Sequence, residues 1–247
     1  MTLRVSKRPT RSIAPPCALA VLMLGTGLLG GCASNPATGG TDFVTMSEEK
    51  EIEIGRITHP QILQKYRVYN DSALQAYVTR IGNELADKGD RPHLQYVFTV
   101  LDSEEVNAFA VPGGFVYITR GLLSYLNSEA ELAAVLGHEI GHITARHAVR
   151  QQSGRSLLNI LGSVAGATTG AVGSTLTGLL GGALVSGYGR GMELEADELG
   201  AAYLVRVGYD SQAMIDVVTI LKNQELFELE RAEKEGREPR VYHGVFA

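Results

Sequence analysis

"VLGHEIGHITARH", residues 135–147, decides the fold, because it sets two histidines four residues apart with a glutamate directly after the first. On a helix, residues four apart share a face, so His138 and His142 can direct their imidazoles at one metal ion. Glu139 lies beside that face, within reach of a water held by the ion. Ordinary composition produces the three fixed letters about once in a hundred chains of this length, so the surroundings carry the argument. Ser128 and Glu131 make a capping-box start, and Leu132, Val135, Leu136 and Ile143 form one apolar stripe, which predicts a helix through the motif. Ala134, Gly141 and Ala145 keep the histidine side small, leaving room for a second helix or a substrate. Without such context the two histidines read as ordinary surface or core residues.

A catalytic zinc needs three protein ligands and an open position, so a third donor is expected downstream. Glu193, Glu195 and Glu198 compete for the role in "GMELEADELG". Glu193 alone has a carboxylate one turn on, Asp197, and a small residue, Gly200, on the same side. Four residues beyond Glu195 and Glu198 stand Leu199 and Ala202. A ligand carboxylate accompanied by a second carboxylate that orients a ligand imidazole is the pair such a site requires. Glu193 is therefore the expected ligand, with Asp197 as the hydrogen-bond partner of a zinc histidine. Taken alone, the same helix reads as an ordinary charged face.

Working outward, "SEEKEIEIG" and "SALQAYVTRIGNELADK" have helical spacing, with start signals at Ser47 and Ser72. "LQYVFTV", "EVNAFAV" and "FVYIT" are short β-prone runs separated by turn residues, which predicts an antiparallel meander. Residues 156–189 carry no charge and nine glycines; they are long enough to span a bilayer, but their composition favours a flexible or helical-hairpin segment near the active site. "ELEADELGAAYLVRVGYD" predicts a helix ending at Gly208, and "NQELFELERAEKEGRE" a solvated, charged one.

The chain has 247 residues, enough for one sizeable domain. Its start, "MTLRVSKRPTRSIAPPCALAVLMLGTGLLGGC", runs from Arg4, Lys7, Arg8 and Arg11 through an uncharged apolar run to small residues, the pattern of a secretory signal over 1–31; an uncleaved anchor helix is the blander alternative. "LLGGC" resembles a bacterial lipobox, which makes Cys32 the expected lipid-bearing residue. Ala33 in place of an aspartate favours the outer membrane of a Gram-negative bacterium, on the periplasmic side. Residues 32–46 read as a tether and 47–247 as the domain. Losing the four cations of 1–31 takes the net charge from -5 to -9, which argues against nucleic acid. With Cys17 removed and Cys32 acylated, no disulfide is expected.

"NAFAVPGG", "SEAELAAVLGHEIGHITARH" and "ELEADELG", in this order, resemble the gluzincin peptidase family M48, the family of the heat-shock protease HtpX and the CAAX prenyl endopeptidase, with the nearest likeness to its periplasmic lipoprotein members. The likeness covers roughly Thr45 to the end. It implies an α+β, predominantly helical zincin: an active-site helix packed on a small antiparallel β-meander, with the third ligand on a second helix. It also implies one zinc ion held by His138, His142 and Glu193, and Glu139 as general base. In the same family "NAFAVPGG" supplies an edge strand, Asn107, Ala108, Phe109 and Ala110, along which an extended polypeptide adds as a further strand; a core hairpin burying Phe109 is the alternative. Two departures stand out. The family's Ser-Arg pair before the third ligand is replaced by "GYGRGME", with Arg190 nearby. The chain also ends at "YHGVFA" without the family's Thr-His-Pro segment, so a truncated product is expected, with His243 a surface residue.

The expected function is thus a lipid-anchored zinc endopeptidase acting on unfolded or misassembled cell-envelope proteins. A second function class fits the same motifs: a zinc-stabilised chaperone or scaffold that binds chains without cutting, in company with the outer-membrane assembly machinery. An intact Glu139 favours the first. A third class, a membrane-embedded protease, would use 156–189 as a span.

Overall fold

The structure, a computed structural model, describes residues 32–44, 46–153 and 188–239. The expected signal segment at 1–31, nearly all of the Gly-rich stretch 156–189 and His243 lie outside the described residues. Six helices with named ends, a further helical stretch over 147–153, a three-stranded sheet and a two-stranded hairpin form the described part.

The helices start where side chains can satisfy their free amides. α1 (Glu48–Lys65) is capped by Ser47, with Glu48, Glu49 and Glu51 in its first turn. α2 (Ser72–Asp87) is capped by Asp71, one residue before the expected Ser72. After the sheet and the short α3 (Arg120–Leu123), α4 (Glu129–Thr144) carries the histidine motif and is capped by Ser128. α5 (Arg190–Val207) ends at Gly208, whose left-handed backbone (φ 90°) a glycine adopts without strain. α6 (Gln212–Glu235) carries the charged stretch.

The sheet corrects the expected antiparallel meander. β3 (Val97–Leu101) does not form a hairpin with β4 (Ala108–Val111); instead β5 (Phe115–Thr119) lies between them, parallel to β3 and antiparallel to β4. All five β5 residues are buried, and a central position pairs both edges of this fully buried strand. The 102–107 connection is pinned across the end of β5. The Thr119 hydroxyl hydrogen-bonds the carbonyls of Glu105 (2.6 Å) and Asn107 (2.9 Å), and Arg120 pairs with Asp102 and Glu104. "PGG" makes the tight return from β4 to β5. There Gly113 and Gly114 are left-handed, and a side chain on Gly114 would strike the Gln95 carbonyl at 2.6 Å.

α4 is the central element. Every residue from Glu131 to Thr144 is buried, not only the expected stripe, because α2, α5, α6 and β4 all pack on it. Residues 32–43, read from sequence as a tether, form a hairpin: β1 (Cys32–Ser34) pairs antiparallel with β2 (Thr41–Phe43), closed by Asn35, whose side chain accepts from the amides of Ala37 and Thr38. No described helix is long and apolar enough to cross a membrane.

Candidate metal centre

α4 places His138 and His142 one turn apart, and α5 crosses it where both helices are stripped to small residues. A Cβ on Gly141 would lie 2.9 Å from the Ala196 carbonyl oxygen, and one on Gly200 2.9 Å from the His138 amide nitrogen. That close approach brings Glu193, in the first turn of α5, onto the two imidazoles. Its Oε2 lies 3.4 Å from His138 Nε2 and 3.6 Å from His142 Nε2, and the two Nε2 atoms are 2.9 Å apart. All three residues are buried, and their ligand atoms lie within 4.8 Å of one another. Ligand atoms about 2.1 Å from a tetrahedral ion lie roughly 3.4 Å apart. The glutamate distances match that spacing and the imidazole pair is slightly tighter, so this donor set fits a zinc-sized cation.

The partners of each residue of the cluster are equally defined. His138 Nδ1 is 2.8 Å from Asp197 Oδ1, the contact expected from the spacing of Glu193 and Asp197. His142 Nδ1 is 2.8 Å from His147 Nδ1, and His147 Nε2 is 3.2 Å from Glu195 Oε2. Glu193 Oε1 accepts from the Tyr188 amide, and the Tyr188 ring stacks on His142 with centroids 4.3 Å apart. Of the three competing glutamates, then, Glu193 faces the histidine pair, Glu195 binds His147, and Glu198 is exposed. Arg190, at the start of α5, is exposed.

Electrostatics follow the burial. Burial draws His142 down to about 3 and His147 to about 4, so both rings are neutral. Burial also disfavours charge on His138, but its hydrogen bonds to Asp197 and Glu193 and the neighbouring Glu139 hold it up at about 9. Glu193 is desolvated, yet the two imidazoles keep it at about 2 and ionised. Glu139 is pushed up to about 7, chiefly by burial. It accepts a hydrogen bond from the Ala110 amide, which links it to β4. Just before β4 the Asn107 carbonyl accepts from the Thr119 amide of β5, so in the alternating antiparallel ladder Ala108 and Ala110 point their backbone groups away from β5. β4 is therefore an edge strand with its open edge at Glu139. Asn107 lies just before it, and Phe109 packs in a cluster with Tyr117 and Phe115.

His147 was missed as a site residue although it closes the opening motif; its spacing from His142 fits no simple ligand pattern, and only the turn at 145–146 swings it back. Arg146 makes that turn with a left-handed backbone (φ 56°), held by hydrogen bonds to Glu51 and the Met46 carbonyl.

Known proteins carry related sequences. The "Beta-barrel assembly-enhancing protease" of Yersinia pestis is 32% identical over 201 residues, covering 76% of this chain and 41% of its own length. The protein of the same name from Escherichia coli K12 is 33% identical over 190 residues, covering 72% of this chain and 39% of its own. The "Mitochondrial metalloendopeptidase OMA1" of Arabidopsis thaliana is 30% identical over 167 residues, covering 67% and 32%. The chain thus spans about two fifths or less of the length of these curated relatives. The family model described as "Peptidase family M48" matches residues 72–238, which include every residue of the cluster, and the chain belongs to Peptidase family M48.

Proposed function

We propose that the chain is a zinc-dependent endopeptidase, anchored by lipid on Cys32 at the periplasmic face of the outer membrane, that hydrolyses unfolded or misassembled envelope proteins. The observation that carries this reading is the placement of a buried carboxylate, Glu139, between a three-donor metal cluster and the open edge of β4. His138, His142 and Glu193 would hold the ion, and Asp197 would fix the His138 ring. A bound zinc supplies Lewis acidity to the scissile carbonyl and lowers the pKa of a water. Glu139, beside the cluster, would take the proton from the attacking water and pass it to the leaving amine. The substrate lies extended along Asn107 to Ala110, adding to the sheet through main-chain hydrogen bonds. A chain free of its own tertiary structure presents such a strand most readily, which is why unfolded or misassembled proteins are the proposed substrates. The relatives named for β-barrel assembly support an envelope role.

The test is zinc analysis together with casein cleavage for the parent and Glu139→Gln. The variant is expected to keep its zinc and to lose cleavage by about 10²-fold to 10⁴-fold. Undiminished cleavage would remove Glu139 from the mechanism, and an undetectable parental activity would favour a binding role.

A further inference from the structure

Behind His142 lies a polar cluster that the proposed cleavage step does not use. His147 is fully buried and sits between His142 and Glu195. Glu195 is in turn held by Arg150 Nη1 (2.8 Å, to Oε2) and by Asn35 Nδ2 (3.2 Å, to Oε1), while Arg150 Nε lies 3.2 Å from Asp42 of the N-terminal hairpin.

One proton assignment satisfies every contact. A neutral imidazole that offers its Nε2 lone pair to a metal carries its proton on Nδ1. His142 Nδ1–H then donates to His147 Nδ1. That acceptor must be unprotonated, so the His147 proton sits on Nε2, where it meets the Glu195 carboxylate. Metal-bound histidines regularly give their second N–H to a carboxylate or carbonyl, which fixes tautomer and ring orientation and raises ligand basicity. His138 does this directly through Asp197. Glu195 is two residues earlier on α5 and so projects to a different side of that helix. It reaches His142 only through an intervening ring.

We propose that His147 and Glu195 are a positioning pair for His142: an imidazole and a carboxylate in series that lock its Nδ1–H tautomer and aim its Nε2 at the metal. Asn35 and Arg150 orient the far end of the pair, tying the hairpin at 32–43 to the centre. The inference rests on the reading of His142 as a ligand.

The test measures zinc affinity of the metal-stripped full chain by competition with a chromophoric chelator. His147→Phe keeps ring volume but has no acceptor, whereas His147→Asn restores an oxygen close to the Nδ1 position. The phenylalanine variant is expected to bind zinc about 10-fold to 100-fold more weakly, with most of that loss recovered by asparagine and a smaller loss in Glu195→Gln. Nitrogen-15 NMR of histidine-labelled, zinc-loaded protein is expected to show a hydrogen-bonded His142 Nδ1–H that is slow to exchange in the parent and fast in His147→Phe. An affinity in His147→Phe within about twofold of the parent, or an equal loss in the asparagine and phenylalanine variants, would overturn the pairing. Should His147→Phe fail to fold, an unchanged affinity in Glu195→Gln overturns it instead. His142→Ala separates the two readings: if that variant binds zinc as the parent does, the ligand assignment itself is wrong.

Discussion

Two neutral, buried imidazoles at the centre give the metal-free protein a defined response to acid. His142 at about 3 and His147 at about 4 stay unprotonated in the fold, whereas in an unfolded chain both take up protons near the ordinary histidine value. Below that value the unfolded state binds more protons at these two positions, and stability falls as pH falls. Glu139, raised to about 7, works the other way between its unfolded value and 7, but as one group against two. His138, at about 9, is charged in both states once the pH is well below 6.5. Glu193, held at about 2, adds a further loss below the ordinary carboxylate range. Urea denaturation with a chelator present is therefore expected to give a lower midpoint at about pH 4.5 than at about pH 6; a midpoint that rises on acidification would contradict the buried, neutral pair.

At the scale of elements, the centre depends on how closely α5 crosses α4. Gly→Ala in a helix interior ordinarily gains up to about 1 kcal/mol. At Gly200 the new methyl would stand 2.9 Å from the His138 amide nitrogen, on backbone that cannot yield cheaply. Overpacking of that kind typically costs about 1–3 kcal/mol, so Gly200→Ala is expected to be net destabilising. It is also expected to weaken zinc binding, as Glu193 is pushed away from the imidazoles. Thermal melts and chelator competition check both, and a variant more stable than the parent would show that the helices have slack. Much of this geometry was legible in the sequence. The serine caps of α1 and α4, the glycine stop at Gly208 and the Glu193 to Asp197 spacing are local signals, carried by a few adjacent residues. Strand order was not legible, because β5 sits between β3 and β4 through contacts of Thr119 and Arg120 with the 102–107 connection, and pairing across such distances leaves no local pattern. The His147 and Glu195 pair was hidden for the same reason, lying 48 residues apart in sequence.

For the molecule as a whole, the hairpin at 32–43 changes what an anchor at Cys32 would mean. Its composition of small, turn-forming residues suggests a slack tether, yet Asn35 is buried and bonded to Glu195. Metabolic labelling with a fatty acid is expected to mark the parent and not Cys32→Ala. A ten-residue Gly/Ser insertion between Cys32 and Ala33, reaching on the order of 17 Å, is expected to leave casein cleavage in detergent unchanged while reducing cleavage of envelope substrates in cells. Equal activity in cells would show that distance from the bilayer is immaterial. The reason to expect a difference is reach: three residues separate Cys32 from Asn35, and an extended chain advances at most about 3.6 Å per residue. An acylated Cys32 would therefore have its backbone within about 11 Å of that of Asn35, the residue that braces Glu195. Were Cys32 acylated, the bilayer would sit against the hairpin, and the outermost partner of the His142 relay would stand close to the lipid surface.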